Sequence, residues 1–317
     1  MTARTAIGSS DLEISPLALG GNVFGWTADR DASFAVLDAF IAGGGDFVDT
    51  ADGYSHWVPG HTGGESETII GAWMADRAAR DRVTIATKVS THPGFSGLAA
   101  ENVRAAADAS LQRLGTDRID LYYAHFDDEQ TPLEETVAAF SGLVDAGKIR
   151  AIGVSNYTAD RVEEWFRIAR AGGYHLPVAL QPHYNLLERD FETNGLRAAA
   201  EREGLAVFPY FSLAKGFLAG KYRDAGAATA EGASPRAEGA MSYFDDRGRA
   251  VLGALDEIAA AHAVDVASVS LAWLRQQPTV AAPLASARTT AQLTALLASM
   301  ELELSADELA ALATASA

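Results

Sequence analysis

Eight short apolar runs alternating with amphipathic helical stretches predict an α/β chain whose strands run parallel and close into a (β/α)8 TIM barrel. The runs lie at 17–19, 47–48, 83–86, 119–123, 149–154, 178–180, 205–210 and 280–284. Each is too short for a helix and apolar at nearly every position, the pattern of strands covered on both faces. An open doubly wound sheet with a nucleotide site would carry a Gly-x-Gly-x-x-Gly turn after its first strand, and none follows Leu19. The cluster Gly43-Gly44-Gly45 precedes a strand and reads as a helix stop.

The order of elements fits this fold throughout. Residues 1–14 alternate weakly around Gly8-Ser9-Ser10-Asp11, which predicts an N-terminal β-hairpin over the lower end of the barrel. In 99–114, Val103, Ala106, Ala107, Ser110, Leu111 and Leu114 recur at three- and four-residue steps, a helix face ended by Gly115. Leu133, Val137, Phe140 and Val144 form a second face stopped at Gly147, and Val162, Trp165, Phe166 and Ile168 a third stopped at Gly172 and Gly173. From 216 to 246 the chain turns rich in Gly, Ala, Ser and Asp, a long loop after the seventh strand that is either functional or mobile. No linker interrupts the repeat, so a single domain spanning 1–317 is expected.

Composition removes several functions. With 25 Lys plus Arg against 42 Asp plus Glu, the net charge of −17 repels phosphate backbones, and the basic residues form no stripe, so nucleic acid is not an expected partner. A membrane span would need a run of about 20 apolar residues, which the sequence lacks. The 317 residues contain no cysteine, which excludes disulfides, thiolate metal sites and a Cys nucleophile. With no apolar signal stretch at 1–12, a cytoplasmic address is the simplest expectation.

In such barrels the chemistry sits at the carboxyl ends of the strands. The second strand runs into Asp49 and, five residues on, Tyr54; the third ends at Lys88 and the fourth at His125. Taken singly, each has a structural explanation: a capping acid, a core phenol, a snorkelling amine, a satisfied interior imidazole. Together, an acid, a phenol, an amine and an imidazole stand at the top of three adjacent strands. A phenol beside an ammonium can protonate an alkoxide; the ammonium is expected to lower the phenol, the carboxylate to hold the ammonium, and the imidazole to orient a substrate oxygen. None of these groups can deliver hydride, so a nicotinamide cofactor is implied.

The remaining strand ends suit such a cofactor. Ser155, Asn156 and Gln181 offer hydroxyl and amide groups for a carboxamide, and Tyr210 a flat ring for stacking. Ser286 and Arg288 precede a helix start near Thr289 or Thr290, where free N–H groups and a guanidinium favour a phosphate, an adenosine 2′-phosphate above all. Phe24, Trp26, Trp57 and Phe126 suggest an aromatic-lined mouth for a small carbonyl or alcohol substrate.

The segments FVDTADGY (47–54), ATKV (86–89), ASLQRLGTDRIDLYYAH (109–125), GKIRAIGVSN (147–156), LQPHYN (180–185) and SARTTAQL (286–293) resemble the aldo-keto reductases in the right order and over nearly the whole chain. The resemblance implies Asp49, Tyr54, Lys88 and His125 as a catalytic tetrad with Tyr54 as proton donor, and NADPH as cofactor with NAD the second possibility. It further implies Gly21 and Asn22 near the cofactor, Ser155, Asn156 and Gln181 at the carboxamide, and Tyr210 on the ring. Leu213, Lys215, Gly216, Lys221 and Arg236 would lie along the pyrophosphate, Phe211 and Ser212 would contact the cofactor from the turn before them, and Ser286, Arg288 and Gln292 would stand at the adenosine phosphate.

Three departures stand out. Tyr210-Phe211-Ser212-Leu213 replaces a common Tyr-Ser-Pro-Leu, Ala295-Leu296 replaces a common Glu-Asn for adenine, and the loop 55–65 is longer than usual. Two rival readings remain: a cofactor-binding redox sensor or regulatory subunit with slow turnover, and a metal-dependent hydrolase built on His125, Asp127, Asp128 and Glu129. Four adjacent residues cannot all face one ion, which weighs against the second.

Overall fold

A computed structural model describes residues 4–224, 226 and 234–317. The chain opens with an antiparallel hairpin, β1 (Thr5–Ala6) and β2 (Glu13–Ile14). Then come β3 (Ala18–Gly20), α1 (Arg30–Ala42), β4 (Phe47–Asp49), α2 (Glu65–Arg77) and β5 (Thr84–Val89). A small hairpin that the sequence did not suggest follows, β6 (Thr91–His92) with β7 (Phe95–Ser96). The regular repeat resumes with α3 (Ala100–Leu114), β8 (Ile119–Ala124), α4 (Leu133–Asp145), β9 (Ile149–Ser155), α5 (Ala159–Gly172), β10 (Ala179–Gln181), α6 (Leu196–Glu203) and β11 (Ala206–Val207). A long crossover carries α7 (Ala237–Met241), α8 (Asp246–His262) and α9 (Val266–Arg275) to β12 (Leu284–Ala285), after which α10 (Thr290–Ala298) and α11 (Ala306–Ala315) end the chain.

Eight strands form one parallel sheet in the order β11, β10, β9, β8, β5, β4, β3, β12. The ring closes between β11 and the stretch leading into β12: Val207 N donates to Thr279 O at 2.9 Å, Ala281 N to Val207 O at 2.9 Å and Leu284 N to Pro209 O at 3.0 Å. This is the (β/α)8 barrel that the alternation predicts. Two strands are shorter than the apolar runs that mark them, because Pro209 and Pro283 lack the N–H a ladder needs.

Helix ends follow local chemistry. Asp29, Thr158, Asp245, Thr289 and Ser305 each accept a backbone N–H at a helix start, and Gly115 and Gly173 close α3 and α5 in the left-handed conformation. Within the stretch read as one long loop at 216–246, α7 is helical, and residues 225 and 227–233 lie outside the described residues. None of the helices among the described residues is long and apolar enough to cross a membrane.

Successive residues of a strand face opposite sides, and that parity builds both cores. Ala18, Phe47, Ala86, Leu121, Tyr123, Ala151, Ala179, Ala206, Phe208 and Leu284 fill the barrel interior, joined from below by Ile7, Leu12 and Ile14 of the hairpin. Their neighbours Leu19, Val48, Ile85, Tyr122, Ile152, Leu180 and Val207 face outward into the layer shared with the helices. At Gly153 a Cβ would sit 2.4 Å from the Tyr123 ring, so the bulky residue of one strand requires the smallest on the next.

Candidate active site

Stepping two residues further along each inward-facing row reaches the top of the barrel. Phe47 leads to Asp49, Ala86 to Lys88, Tyr123 to His125, Gly153 to Ser155, Ala179 to Gln181, Phe208 to Tyr210 and Leu284 to Ser286. The fold thus brings the predicted strand-end residues to one end of one interior.

Lys88 is fully buried, and its ammonium donates to Asp49 Oδ2 at 2.5 Å, to the Thr50 carbonyl at 2.7 Å and to the Tyr54 hydroxyl at 3.0 Å. Gln181 Nε2 holds the other oxygen of Asp49 at 3.0 Å. An unpaired ammonium here would cost several kcal/mol of desolvation, on the order of magnitude seen for buried ions, so Asp49 is what permits Lys88 to stay charged. Burial pushes Lys88 down, but the Asp49 carboxylate and Tyr54 outweigh it, leaving the ammonium above its ordinary value. Burial also raises Asp49 against the opposing pull of Lys88 and Gln181.

Tyr54 departs from expectation. Burial raises its phenol more than the Lys88 ammonium lowers it, with Asp49 adding to the rise, so the hydroxyl keeps its proton across the neutral range. His125 lies with its ring centroid 6.2 Å from that of Tyr54. Desolvation first, and then the charge of Lys88, holds its imidazole well below the usual range, which makes it neutral.

A cavity of about 1090 Å³ opens above these groups. Of the predicted residues, Asn22, Trp26, Asp49, Tyr54, Trp57, His125, Phe126, Asn156, Gln181, Tyr210, Phe211, Ser212, Leu213, Lys215, Gly216, Lys221, Arg236, Ser286, Arg288 and Gln292 line it. Lys88 lies beneath the lining, reaching it through Tyr54. Among the described residues, four cations face this space against the acids Asp49 and Glu238, so that part of the lining is locally positive in a chain of net charge −17.

Besides Lys88, three predicted residues do not line it. Phe24 is fully buried in the helix–sheet core, because the turn closed by Gly25 N donating to Ala28 O at 2.8 Å folds its ring inward. Gly21 is spent on scaffolding: its N–H donates to Asp49 O at 2.8 Å and its carbonyl accepts from Ser66 Oγ at 2.8 Å. Ser155, also fully buried, donates to the Gln181 carbonyl at 2.9 Å and accepts from Asn156 Nδ2 at 3.1 Å, standing behind the lining.

The wall beside Tyr54 is shaped for a planar group. Asn156 takes a left-handed backbone (φ 56°) that Asn tolerates better than most residues, and its side chain joins the His125 carbonyl at 2.9 Å to the Tyr210 hydroxyl at 2.7 Å. One face of Tyr210 is stacked on His183, with centroids 5.2 Å apart and planes 11° from parallel, so the other face is available to the cavity. The following turn stores backbone strain: Phe211, Ala214 and Lys215 all have positive φ, while Gly216 takes its own positive φ without that strain.

At the far rim, Ser286 Oγ donates to Asn22 Oδ1 at 2.6 Å, tying the last barrel strand to the first. A Cβ at Gly20 would lie 2.6 Å from that hydroxyl, so a side chain there would push Ser286 Oγ off its present position. Thr289 caps α10, and Gln292 accepts from the Arg288 N–H at 2.9 Å. Lys221 is lowered by burial and by the charge of Arg288. A dinucleotide fits this set: a flat aromatic face, amide groups beside it, a strained turn, and a capped helix start with paired cations.

The acids next to His125 are occupied elsewhere. Asp127 pairs with Arg161 Nε at 2.7 Å, and Asp128 accepts from Leu98 N at 2.8 Å and Thr131 Oγ1 at 2.7 Å. Several lining residues were not anticipated, among them Val23, Thr27, His56, Thr91, Tyr222 and Glu238. Val23, Thr27, His56 and Tyr222 stand on irregular loops, and Thr91 and Glu238 on the short elements β6 and α7, where no sustained period signals direction.

Comparison with known proteins agrees with this geometry. The profile described as "Aldo/keto reductase family" matches residues 16–317. Protein tas of Escherichia coli strain K12 is 34% identical, covering 95% of this chain and 94% of its own. Norsolorinic acid reductase stcV of Emericella nidulans is 33% identical over 94% of this chain and 77% of its own. An uncharacterized oxidoreductase of Bacillus subtilis, YrpG, is 33% identical over 95% and 91%. A barrel with a Lys-centred carboxylate–phenol pair, matched by this profile over nearly its whole length, belongs to the aldo/keto reductase family.

Proposed function

We propose that the chain is an NADP-dependent oxidoreductase that interconverts an aldehyde or ketone with its alcohol, with Tyr54 as the proton donor in reduction. The observation that carries this reading is the Lys88 ammonium held between Asp49 at 2.5 Å and Tyr54 at 3.0 Å under a cavity large enough for a dinucleotide and a substrate. Family membership supports an oxidoreductase using a nicotinamide cofactor. A relative named as a reductase supports the carbonyl-reducing direction.

The cofactor, when bound, supplies hydride to the carbonyl carbon. Tyr54 gives its phenolic proton to the carbonyl oxygen as negative charge gathers there. Lys88 stabilises the phenolate that remains, and Asp49, positioned by Gln181, keeps Lys88 charged and aimed. Neutral His125 hydrogen-bonds the carbonyl oxygen and fixes its direction. Asn156 and Gln181, backed by Ser155, would hold the carboxamide, and Tyr210 the ring. Asn22, bonded to Ser286, would lie beside the cofactor with Gly21 behind it in the scaffold, and Phe211, Ser212, Leu213, Lys215, Gly216 and Lys221 would follow the pyrophosphate. Ser286, Arg288 and Gln292 would hold the 2′-phosphate, the reason to favour NADPH over NADH. Trp26, Trp57 and Phe126 would meet the substrate.

The same reading takes 1–317 as one domain and the cytoplasm as its address, in keeping with the absence of cysteine. The test is a screen of aldehydes and ketones with each reduced cofactor, following loss of nicotinamide absorbance. Carbonyl-dependent oxidation, faster with NADPH, is expected; cofactor binding without turnover on any carbonyl would overturn the reading and favour a sensor.

A further inference from the structure

The chain reverses sharply after Tyr54. Ser55, fully buried, takes a left-handed backbone (φ 73°), a conformation uncommon for a residue with a Cβ. The turn brings His56 back onto Gly53, whose carbonyl accepts from the His56 backbone N–H at 3.3 Å and lies 2.7 Å from His56 Nδ1. A carbonyl oxygen can only accept, so Nδ1 carries the proton of the neutral ring and Nε2 presents its lone pair. Nε2 has no hydrogen-bond partner among the described residues and stays accessible, and half-buried His56 lines the cavity. The hairpin β6–β7 braces this turn: a Cβ on Gly53 would lie 2.5 Å from Thr91 Oγ1, and one on Gly63 would lie 2.7 Å from the His92 ring.

The surface around this nitrogen is aromatic. Trp57 packs edge-on against His56 at 5.4 Å, Tyr54 at 6.4 Å and Trp26 at 5.7 Å, so a flat group resting on Trp57 reaches both the phenol and the imidazole. Phe126 packs on His125 at 4.9 Å. Trp57 and Phe126 are 49% and 45% exposed and both border the cavity, which gives its mouth flat apolar surface. A lone acceptor held in place within such surroundings discriminates strongly: a ligand that supplies a donor pairs it, and one that covers it without a donor leaves it stripped of water. An ammonium donor is opposed by the positive part of the lining, and a carboxylate has no proton to give. A polyol would leave most of its hydroxyls against ring surface, whereas a hydroxyaryl group satisfies the rings and the acceptor together.

We infer that His56 is a specificity-determining residue whose Nε2 accepts a hydrogen bond from a ring hydroxyl of an aromatic aldehyde or ketone, the ring resting against Trp57 while the carbonyl oxygen meets Tyr54. This rests on the carbonyl-reduction reading and names hydroxyaryl carbonyls as the substrate class of that site.

The experiment compares 3-hydroxybenzaldehyde with 3-methoxybenzaldehyde, in which methylation removes the donor and keeps the ring oxygen, in the wild type, His56→Leu and His56→Gln. In the wild type kcat/KM should favour the hydroxy compound. In His56→Leu the ratio of the two kcat/KM values should fall about fivefold, the size of one neutral hydrogen bond. His56→Gln, whose amide oxygen can take the place of Nε2, should keep most of the preference, which a purely structural role for the imidazole does not predict. The Kd for NADPH should move by less than about twofold in both variants. A ratio unchanged in His56→Leu, a ratio equally low in both variants, or a loss shared by both aldehydes with weakened NADPH would overturn the inference. A second measurement needs no turnover: quenching of tryptophan fluorescence by 3-hydroxybenzamide and by 3-methoxybenzamide. The hydroxy compound should bind more tightly to the wild type and lose that advantage in His56→Leu; equal binding in the wild type would overturn the inference. Absence of reduction with either aldehyde counts against the proposed function, and the binding comparison still decides the role of His56.

Discussion

Lys88 Nζ lies 3.0 Å from the hydroxyl of Tyr54 while it holds the Asp49 carboxylate at 2.5 Å, so one buried ammonium joins the acid that fixes it to the phenol it serves. Lys88→Met keeps the length of the side chain and removes the charge. It should lower kcat by about 10²- to 10⁴-fold, the range for losing one partner of general acid catalysis, with KM for the carbonyl changed far less. Steady-state kinetics on any carbonyl found in the screen reads this out; a kcat within about threefold of wild type would remove Lys88 from the mechanism.

Arg288 and Lys221 form the cationic pair at the far rim, and the 2′-phosphate is what distinguishes NADPH from NADH. Arg288→Leu should weaken NADPH at least about tenfold and NADH much less, since a charge-assisted bond is lost with only one of them. Titrating both cofactors by protein fluorescence measures the two constants. Equal losses would mean that Arg288 does not read the phosphate.

His125 is held neutral because burial and the Lys88 charge both oppose its protonation. A group whose pKa falls well below its ordinary value of 6.5 gains no proton as pH drops through the mildly acidic range. The reductive kcat/KM should therefore show no acid limb centred near that value. Tyr54, raised by burial, should lose its proton only in alkaline solution, so the expected loss of reduction lies on the basic side. A pH–rate profile with a fall centred near 6.5 would contradict the neutral assignment of His125.

Asp52, on the loop between Asp49 and Tyr54, is fully buried, and neither carboxylate oxygen has a hydrogen-bond partner among the described residues. Burial, and next the charge of Glu67, pushes it up from 3.8 to about 8. The native state thus keeps a proton that the unfolded chain releases at lower pH. Its contribution is fully present below pH 3.8 and is lost as pH rises towards 8, because ν_U is smaller than ν_N across that window. Asp52→Asn cannot ionise, so its melting temperature should gain on wild type through that window, by about 3 °C or more at the upper end. Thermal melts at several pH values give the difference; a constant gap would show that Asp52 does not titrate in the native protein.

Much of the site was legible because a strand has a period of two. Phe47, Ala86, Tyr123 and Ala179 are apolar and face inward, so Asp49, Lys88, His125 and Gln181, two residues on, share their side and emerge at the same end. The strands themselves were legible as short, continuously apolar runs, except where Pro209 and Pro283 cut a hydrogen-bond ladder short inside such a run. Loops carry no such period. Phe24 and Trp26 are neighbours of one type in one turn, yet Phe24 is folded into the core and Trp26 faces the cavity. The sign of the Tyr54 shift was hidden too: residue identities reveal the ammonium that lowers it, while the burial that outweighs this charge belongs to the fold.

The central claim is that the Tyr54 hydroxyl donates the proton in carbonyl reduction, and Tyr54→Phe removes that hydroxyl while keeping the ring. Single-turnover reduction with saturating NADPH should be slower by roughly 10²- to 10⁴-fold, with the Kd for NADPH within about threefold of wild type. Reduction at the wild-type rate in this variant would contradict the account.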